Sequence, residues 1–382
     1  MKPLEYDSYD RNYRILRKII CPFVKKIVDF SGDTIPDDMG PTLILCNHNT
    51  DFDFLLLASQ CGSIMDFVAT ETMLRMGVVP NFFCRKFNVI LHDKGSKGVG
   101  TIKQIRSRIS DGRNVLLFPE GNRSFDGRTG EVSEAIGRIV KMTGAALVVY
   151  RLTGGYFTTP RWGKGIRKGR MKGTAEVILS AEEIRNMPDD RLQKLIEDGL
   201  LTDAYLEQEK DPVPFKSHKA AEYLESLLFI CPECRNIGTF VSKRNVLSCS
   251  CGFRFTMDEY GYLFDEKGKK HSITELYSDQ KKYLAEAAEG SGDSILWTDN
   301  VRLCRLMADH KIAGEEQTRL TVYNDHMMIG SQRIDHEQIS SIDIVQRNRL
   351  IIHVKNGDVR YEFTSDITFN AVKYLQWHED KR

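Results

Sequence analysis

Cys46-Asn47-His48-Asn49-Thr50-Asp51-Phe52-Asp53 separates two apolar runs, Leu43-Ile44-Leu45 before it and Phe54 to Leu57 after it. The first run reads as a strand and the second as the opening of a helix. A histidine therefore stands at a strand end, and a carboxylate follows in the first turn of the helix. Further along, Phe118-Pro119-Glu120-Gly121-Asn122-Arg123-Ser124 again follows an apolar run. Two polar constellations at two strand ends are how an α/β sheet builds a site.

Working outward, the pattern alternates strand and helix, which predicts an α/β sheet with helices on its faces. Strands are expected at 42–46, 64–69, 88–92, 114–118, 145–151 and 174–179, and helices near 53–60, 71–77, 97–111 and 131–143. Asp111-Gly112 and Gly144 read as helix stops. Ser180-Ala181-Glu182-Glu183 reads as a capping box, with a helix over 188–208 beyond it and a break at Asp211-Pro212-Val213-Pro214. A short helix is expected over 217–229. Residues 11–30 carry apolar pairs four residues apart (Ile15/Leu16, Ile19/Ile20, Phe23/Val24, Ile27/Val28) with Arg14, Arg17, Lys18, Lys25 and Lys26 between them. This predicts an amphipathic helix kinked at Pro22. Its stripe either packs on its own domain or lies among anionic headgroups, and both hold if the stripe is partly covered.

Beyond a cysteine cluster, Ser272-Ile273-Thr274-Glu275 can cap a helix running to about Ala287, and Glu289 to Asp293 reads as a turn or linker. From 296 the chain is β-rich, with runs at 318–323, 326–330, 340–346, 349–355 and 358–364, and a final helix at 366–378. Asn356-Gly357 is a two-residue hairpin signal.

At 382 residues the chain is long enough for two or three domains. A net charge of +1 argues against a wholly basic nucleic-acid binder, although residues 161–172 hold six basic residues and no acid. There is no signal-peptide pattern, and no run of 18 apolar residues that would span a membrane. Four of the nine cysteines cluster and the rest sit in apolar contexts, as reduced thiols of a cytoplasmic protein do.

The chemistry of these stretches is legible in part. A hydroxyl is a poor nucleophile near neutral pH, and His48 can take its proton as it attacks a carbonyl. A carboxylate beside that histidine fixes the tautomer and stabilises the imidazolium. Asp51 and Asp53 both compete for this role; Asp53 is preferred because Asp51 is better placed to cap the helix. Glu120-Gly121 puts a carboxylate on a turn, and Arg123 is a fork of donors suited to phosphate. Cys231, Cys234, Cys249 and Cys251 form a Cys-x2-Cys-x14-Cys-x-Cys-Gly pattern. Two close pairs a hairpin apart read as a zinc ribbon with four thiolates, and four thiolates make the zinc structural. The second pair is one residue shorter than the usual knuckle.

Asn47-His48-x4-Asp53 followed by Phe-Pro-Glu-Gly-x-Arg-Ser resembles the 1-acylglycerol-3-phosphate acyltransferase family, the PlsC-like glycerolipid acyltransferases, over roughly residues 30–180. The resemblance implies that His48 deprotonates a glycerol hydroxyl, that Asp53 orients it, and that Glu120, Gly121 and Arg123 bind the glycerol-phosphate part of the acceptor. Lys94 takes the place of a phosphate-binding arginine usual in the family, and His92 is its neighbour rather than the base. The chain departs from the family in Lys94, in Asn122 where threonine is usual, and in Leu147-Val148-Val149-Tyr150-Arg151, which lacks the expected proline.

The expected layout is an amphipathic membrane-interface helix at 1–30, an acyltransferase domain at 31–228, a zinc ribbon at 229–262, a helical linker at 263–294 and a β-rich module at 295–382 that resembles a pleckstrin-homology or GRAM-type barrel. The implied activity is an O-acyltransferase moving a fatty acyl group from acyl-CoA or acyl-carrier protein to 1-acylglycerol 3-phosphate, giving phosphatidic acid. The implied setting is the cytoplasmic face of a membrane, with a lipid or protein partner for the C-terminal module. Acylation of another lysophospholipid or of glycerol 3-phosphate is a close variant. The reading from another class is a zinc-ribbon nucleic-acid-binding or regulatory protein using the 161–172 patch, although aromatic residues for base stacking are not interleaved there.

Overall fold

A computed structural model describes residues 6–92, 98–290, 292, 294–307, 312–355, 359–366 and 369–381. The chain divides into two compact units, Met1–Pro160 with Gly165–Lys216, and Arg161–Lys164 with Ser217–Arg382.

The first unit opens with α1 (Asp7–Ile15), a π-helical turn at Leu16–Ile20 and α2 (Cys21–Ile27). The irregularity expected at Pro22 takes this form. Proline has no N–H and its ring crowds the carbonyl four residues back, and a widened turn just before it relieves both. The chain continues through β1 (Phe30–Gly32), β2 (Thr42–Cys46), α3 (Asp53–Gln60), β3 (Met65–Thr70), α4 (Val78–Lys86) and β4 (Ile90–His92). Then come α5 (Val99–Ser110), β5 (Asn114–Leu117), α6 (Ile136–Thr143), β6 (Ala146–Thr153), the short α7 (Gly155–Thr158) and β7 (Met171–Leu179). Helices α8 (Ala181–Asn186), α9 (Asp189–Leu200) and α10 (Ala204–Lys210) close the unit.

The strands form one sheet in the order β1-β7-β6-β2-β5-β3-β4. Strand β2 lies parallel between β5 and β6, and only the β6–β7 pair is antiparallel. Central strands in such a sheet are buried on both faces, which is why Thr42–Cys46 is buried throughout. Alternate side chains serve two cores. Ile44, Cys46, Leu116, Val148 and Tyr150 pack with α3 and the N-terminal helices, whereas Leu43, Leu45, Val115, Leu147 and Val149 pack with α5, α6 and α9. Because β2 and β5 are parallel neighbours, the loops that follow them leave from the same edge, and the two sequence motifs meet there.

Several elements differ from expectation. The helix expected near 71–77 is a 3-10 turn at Glu71–Arg75 followed by the separate α4, and the helix expected at 188–208 is two helices, since Asp203 caps α10 through Tyr205 N–H and Leu206 N–H. Strand β1 was not anticipated, being too short to show a pattern. The capping box at Ser180 forms as read.

In the second unit the helix expected at 217–229 is turns with a 3-10 segment at Leu224–Ser226. Strands β8 (Phe240–Lys243), β9 (Val246–Cys249), β10 (Arg254–Met257), β11 (Leu263–Asp265) and β12 (Lys270–His271) pair in an antiparallel sheet of sequential neighbours. After α11 (Ile273–Gly290) comes a second antiparallel sheet built from β13 (Trp297–Met307), β14 (Ile312–Val322), β15 (His326–Ile329), β16 (Gln332–Asp335), β17 (Ile339–Val345), β18 (Arg349–Val354) and β19 (Val359–Thr364). Its order is β16-β15-β14-β13-β19-β18-β17. The long β13 and the short β16 were not anticipated. Asn356-Gly357 lies outside the described residues, as does Ile367, but β18 and β19 pair as the hairpin reading requires. The final helix, α12 (Val372–Asp380), starts later than expected and buries Tyr374 and Trp377.

One buried ion network ties α1 to the sheet. Arg113 donates from Nε and Nη2 to both oxygens of Asp66 at 2.8 and 2.7 Å, and from Nη1 to Asp10 at 2.8 Å. Removing Arg113 leaves the buried Asp66 with Arg108 alone, at 3.5 Å, so Arg113→Ala is expected to cost about 3 kcal/mol, read as a lower unfolding midpoint in urea. An unchanged midpoint would contradict this.

Candidate active site

The loop after β2 is shaped by its polar side chains. Asn47 is buried at the strand end, where its Oδ1 accepts from Leu152 N–H at 2.7 Å and its Nδ2 donates to Leu152 O at 2.9 Å. That amide acts as an extra strand residue against β6, and Asn49 Nδ2 adds a bond to the same carbonyl at 3.1 Å. The chain then folds back over Asp53. Its Oδ2 accepts from Asn49 N–H at 2.7 Å, from Thr50 N–H at 2.8 Å and from His48 Nδ1 at 2.9 Å, while Oδ1 accepts from the Thr50 hydroxyl. Asp53 has 0% exposure.

These contacts settle the imidazole. A carboxylate that accepts two backbone N–H groups and a hydroxyl is held as an acceptor. Nδ1 of His48 therefore carries the proton, and the lone pair of the neutral ring is on Nε2. Among the described residues Nε2 has no hydrogen-bond partner. The ring stacks on Phe118 at 4.3 Å between centroids and keeps 23% of its side chain exposed.

The second motif is bonded to the first. Glu120 Oε1 accepts from His48 N–H at 2.7 Å, Oε2 accepts from Gly130 N–H at 2.6 Å, and Ser124 N–H donates to His48 O at 3.0 Å. Gly121 sits at φ +66°, a conformation a side chain would strain, and closes the turn through Phe118 O. Burial pushes the Glu120 carboxyl up to about 8, against the pull of the Gly130 and His48 N–H groups, and the Asp53 charge adds to the rise.

Arg123 is built into the loops. Its Nε donates to Asn49 O at 3.0 Å, Nη2 to Thr159 O, and Nη1 pairs with Asp51 at 2.9 Å. The expectation that Asp51 caps α3 is corrected. Its carboxylate turns outward to Arg123 and is 82% exposed, and the N-terminus of α3 has no side-chain cap. His92 bonds Thr101 at 3.0 Å. Lys94 lies outside the described residues. Asn47, Thr50 and Phe118 were quoted in the sequence without a role; a polar residue wedged between apolar runs was the available signal for the first two.

The basic stretch 161–172 is dispersed. In the first unit Arg167 is buried, and burial lowers it to about 10, while Arg170 and Lys172 pair with Asp211. In the second unit Arg161 donates to Gln346 O and Ile344 O, and Trp162 is buried. Lys164 and Lys168 remain exposed.

The four clustered cysteines converge in the second unit. Sγ of Cys231 is 3.8 Å from that of Cys251, Cys234 is 3.7 Å from Cys249, and all four lie within 4.8 Å of one another. A tetrahedral thiolate site with bonds of about 2.3 Å has edges of about 3.8 Å, so the set suits a metal of zinc's size. The shortened second pair closes because Gly252 turns at φ +103° and donates to Cys249 O.

Residues 27–152 match the Acyltransferase family. The chain is similar to a chloroplastic 1-acyl-sn-glycerol-3-phosphate acyltransferase of Arabidopsis thaliana, 28% identical over 193 residues, 46% of this chain and 50% of that protein. It is similar also to a chloroplastic 1-acyl-sn-glycerol-3-phosphate acyltransferase of Brassica napus, 28% identical over 179 residues, 43% of this chain and 49% of that protein. The chain spans about half the length of these curated relatives. Among solved structures it is similar to the 1-acyl-sn-glycerophosphate acyltransferase PlsC from Thermotoga maritima, with a TM-score of 0.44 and 18% identity over 55% of this chain and 84% of that chain. The family match encloses both motifs, so the resemblance read from them extends through the strands that carry them.

The Glu120 shift predicts a pH dependence. Its folded value lies above the ordinary 4.5, so its contribution to stability is complete below 4.5 and is lost as pH rises through about 8. Wild-type stability is expected to fall relative to Glu120→Gln across that window in urea unfolding. Parallel curves would refute it.

Proposed function

We propose that the first unit is an O-acyltransferase that moves a fatty acyl group from acyl-CoA or acyl-carrier protein to the hydroxyl of 1-acylglycerol 3-phosphate, giving phosphatidic acid. The observation that carries this reading is the His48–Asp53 pair with its proton fixed on Nδ1 and its Nε2 lone pair open, bonded through His48 N–H to Glu120. The names of the matched plant proteins support the acceptor.

In this reaction Nε2 takes the proton of the acceptor hydroxyl as its oxygen attacks the thioester carbonyl. Asp53 stabilises the imidazolium that forms. The tetrahedral intermediate collapses, the C–S bond breaks, and the imidazolium returns the proton to the departing thiolate. An ester and a free thiol result, with His48 neutral again, and no acyl-enzyme is needed. Glu120, Gly121 and Arg123, with Lys94, bind the glycerol-phosphate part of the acceptor. An incoming phosphate reaches Arg123 by replacing Asp51, whose exposed ion pair is worth little.

The second unit is read as a zinc ribbon over residues 229–262, a helical linker over 263–294 and a pleckstrin-homology-like or GRAM-like module over 295–382 that meets a lipid or protein. The zinc is structural, held by Cys231, Cys234, Cys249 and Cys251. Ahead of the ribbon, residues 1–30 are read as a membrane-interface helix and residues 31–228 as the acyltransferase domain. The chain works as a peripheral enzyme on the cytoplasmic face of a membrane. No helix among the described residues is long and apolar enough to cross one. What supports the interfacial reading is the N-terminal segment, where Ile15, Ile19, Ile20 and Phe23 stay exposed while Tyr13, Leu16, Cys21 and Val28 are buried.

With acyl-CoA and lysophosphatidate, His48→Ala is expected to lower thioester release about 100- to 10,000-fold with an unchanged circular-dichroism spectrum. Asp53→Asn, which cannot hold the imidazolium, is expected to act in the same direction. Full activity in His48→Ala would end this mechanism. Metal analysis of the purified protein is expected to find about one zinc per chain, lost with Cys231→Ser; metal-free wild-type protein that unfolds at the same temperature with and without added zinc would refute the ribbon.

A further inference from the structure

The antiparallel sheet β8 to β12 of the second unit has one face that metal binding does not use. Phe240, Leu247, Phe255 and Leu263 are buried on one side of it. Alternation along each strand places their neighbours on the other side. The register draws one unbroken row across that side, Lys243, Val246, Thr256, Phe264 and Lys270, each opposite the next. Lys243, Thr256 and Lys270 are exposed, and Val246 and Phe264 are half-buried. On the same side, Val241 and Arg254 both stand opposite Ser248. Arg254 is exposed, and Val241 is 67% exposed.

This face is cationic without an answering acid. Asp265 is the only acid within the five strands, and it lies on the other side, where it bonds His271 at 3.3 Å. Elsewhere in this unit cations are matched: Arg305 with Glu316, Lys281 with Glu379, Lys373 with Asp299. Among the described residues Lys243, Arg254 and Lys270 have no ion-pair partner. Lys270 Nζ stands 3.6 Å over the Tyr262 ring. Lys243 and Lys270 end the row on the two edge strands, four strand spacings or ~19 Å apart. Val246 and Phe264 lie between them.

An apolar centre with a charged rim is the anatomy of a protein–protein contact. A nucleic-acid backbone is charged every few ångströms and calls for a continuous cationic track, which Val246 and Phe264 interrupt. Rim cations without acids select an acidic partner. Of the two acyl donors named above, acyl-CoA is a small molecule with no surface to match such a face, whereas acyl-carrier protein is an acidic protein.

We propose that this face of the sheet docks acyl-carrier protein as the acyl donor, with carboxylates of the carrier on Lys243, Arg254 and Lys270 and an apolar carrier side chain against Val241 and Val246. The proposal rests on the acyl-transfer reading above and deepens it by naming the donor. Docking makes and breaks no covalent bond. It raises the concentration of thioester available to His48, because the two units belong to one chain.

The test pairs direct binding with turnover in the full chain. In fluorescence anisotropy with dye-labelled acyl-carrier protein, the wild-type protein is expected to bind, and more weakly as salt rises. The triple variant K243Q/R254Q/K270Q is expected to lose about tenfold or more in binding. V241E, which sets an acid at an exposed position of the same face, is expected to act in the same direction. A control removing three exposed charges from the first unit, R185Q/R191Q/K194Q, is expected to bind as wild type. In thioester release, the face variants are expected to raise KM for acyl-carrier protein about tenfold and to leave kcat and KM for acyl-CoA unchanged, which keeps a fold defect apart from a docking defect. Equal binding and equal KM in wild type and face variants would overturn the docking face while leaving acyl transfer standing. Turnover of acyl-CoA by protein that does not bind the carrier would do the same. Absence of turnover with either donor would end the acyl-transfer reading, and the donor role with it. A single-stranded oligonucleotide that binds wild type but not the triple variant, in protein that ignores the carrier, would assign the face to nucleic acid and overturn the proposal.

Discussion

Burying the charge of Asp53 constrains the whole edge of the first sheet. A carboxylate with no exposed surface is tolerable only when its oxygens are supplied with donors. Four donors converge on it: the Asn49 and Thr50 N–H groups, the Thr50 hydroxyl and His48 Nδ1. The first three come from the backbone and side chain of the loop that Asp53 itself closes. The fourth is the imidazole, so the requirement that stabilises the fold also sets its tautomer. Loop shape and base orientation are one hydrogen-bond solution.

A second, half-buried carboxylate joins the distant motif to this loop. Glu120 accepts the His48 N–H, Ser124 returns a bond to His48 O, and Arg123 grips Asn49 O. The loops after β2 and β5 are thereby tied at each end of the histidine, with Phe118 under its ring. Two carboxylates near one imidazole repel each other, which contributes to the upward shift of Glu120. Their proximity is held because each is supplied with backbone donors rather than left to solvent.

Cations are handled in two ways in the same unit. Arg113 is enclosed by Asp66 and Asp10 and acts as an internal brace between α1 and the sheet. Arg14, Arg17, Lys18, Lys25 and Lys26 line one groove together with Asp29. The first pattern is stabilising structure. In the second unit the four thiols converge at the spacing of a tetrahedral metal site.

Local pattern made the central strands, the alternation of strand and helix, the two motifs, the cysteine spacing and the Ser180 capping box legible. Each of these depends on neighbours a few residues apart in the chain. That Asp51 faces Arg123 instead of capping α3 was not legible. Strands β1, β13 and β16 were missed because a short or half-exposed strand is defined by its partner, not by its own periodicity. The basic stretch at 161–172 looked like one patch in sequence, but burial and pairing divide it residue by residue. What the residues alone determined was which side chains resemble an acyltransferase motif and which cysteines are spaced as a metal-binding set. Only the tertiary structure decided that β2 and β5 lie side by side, that Asp53 loses its water, and that five cations line one groove, because parallel pairing, burial and charge convergence are relations between segments far apart in the chain.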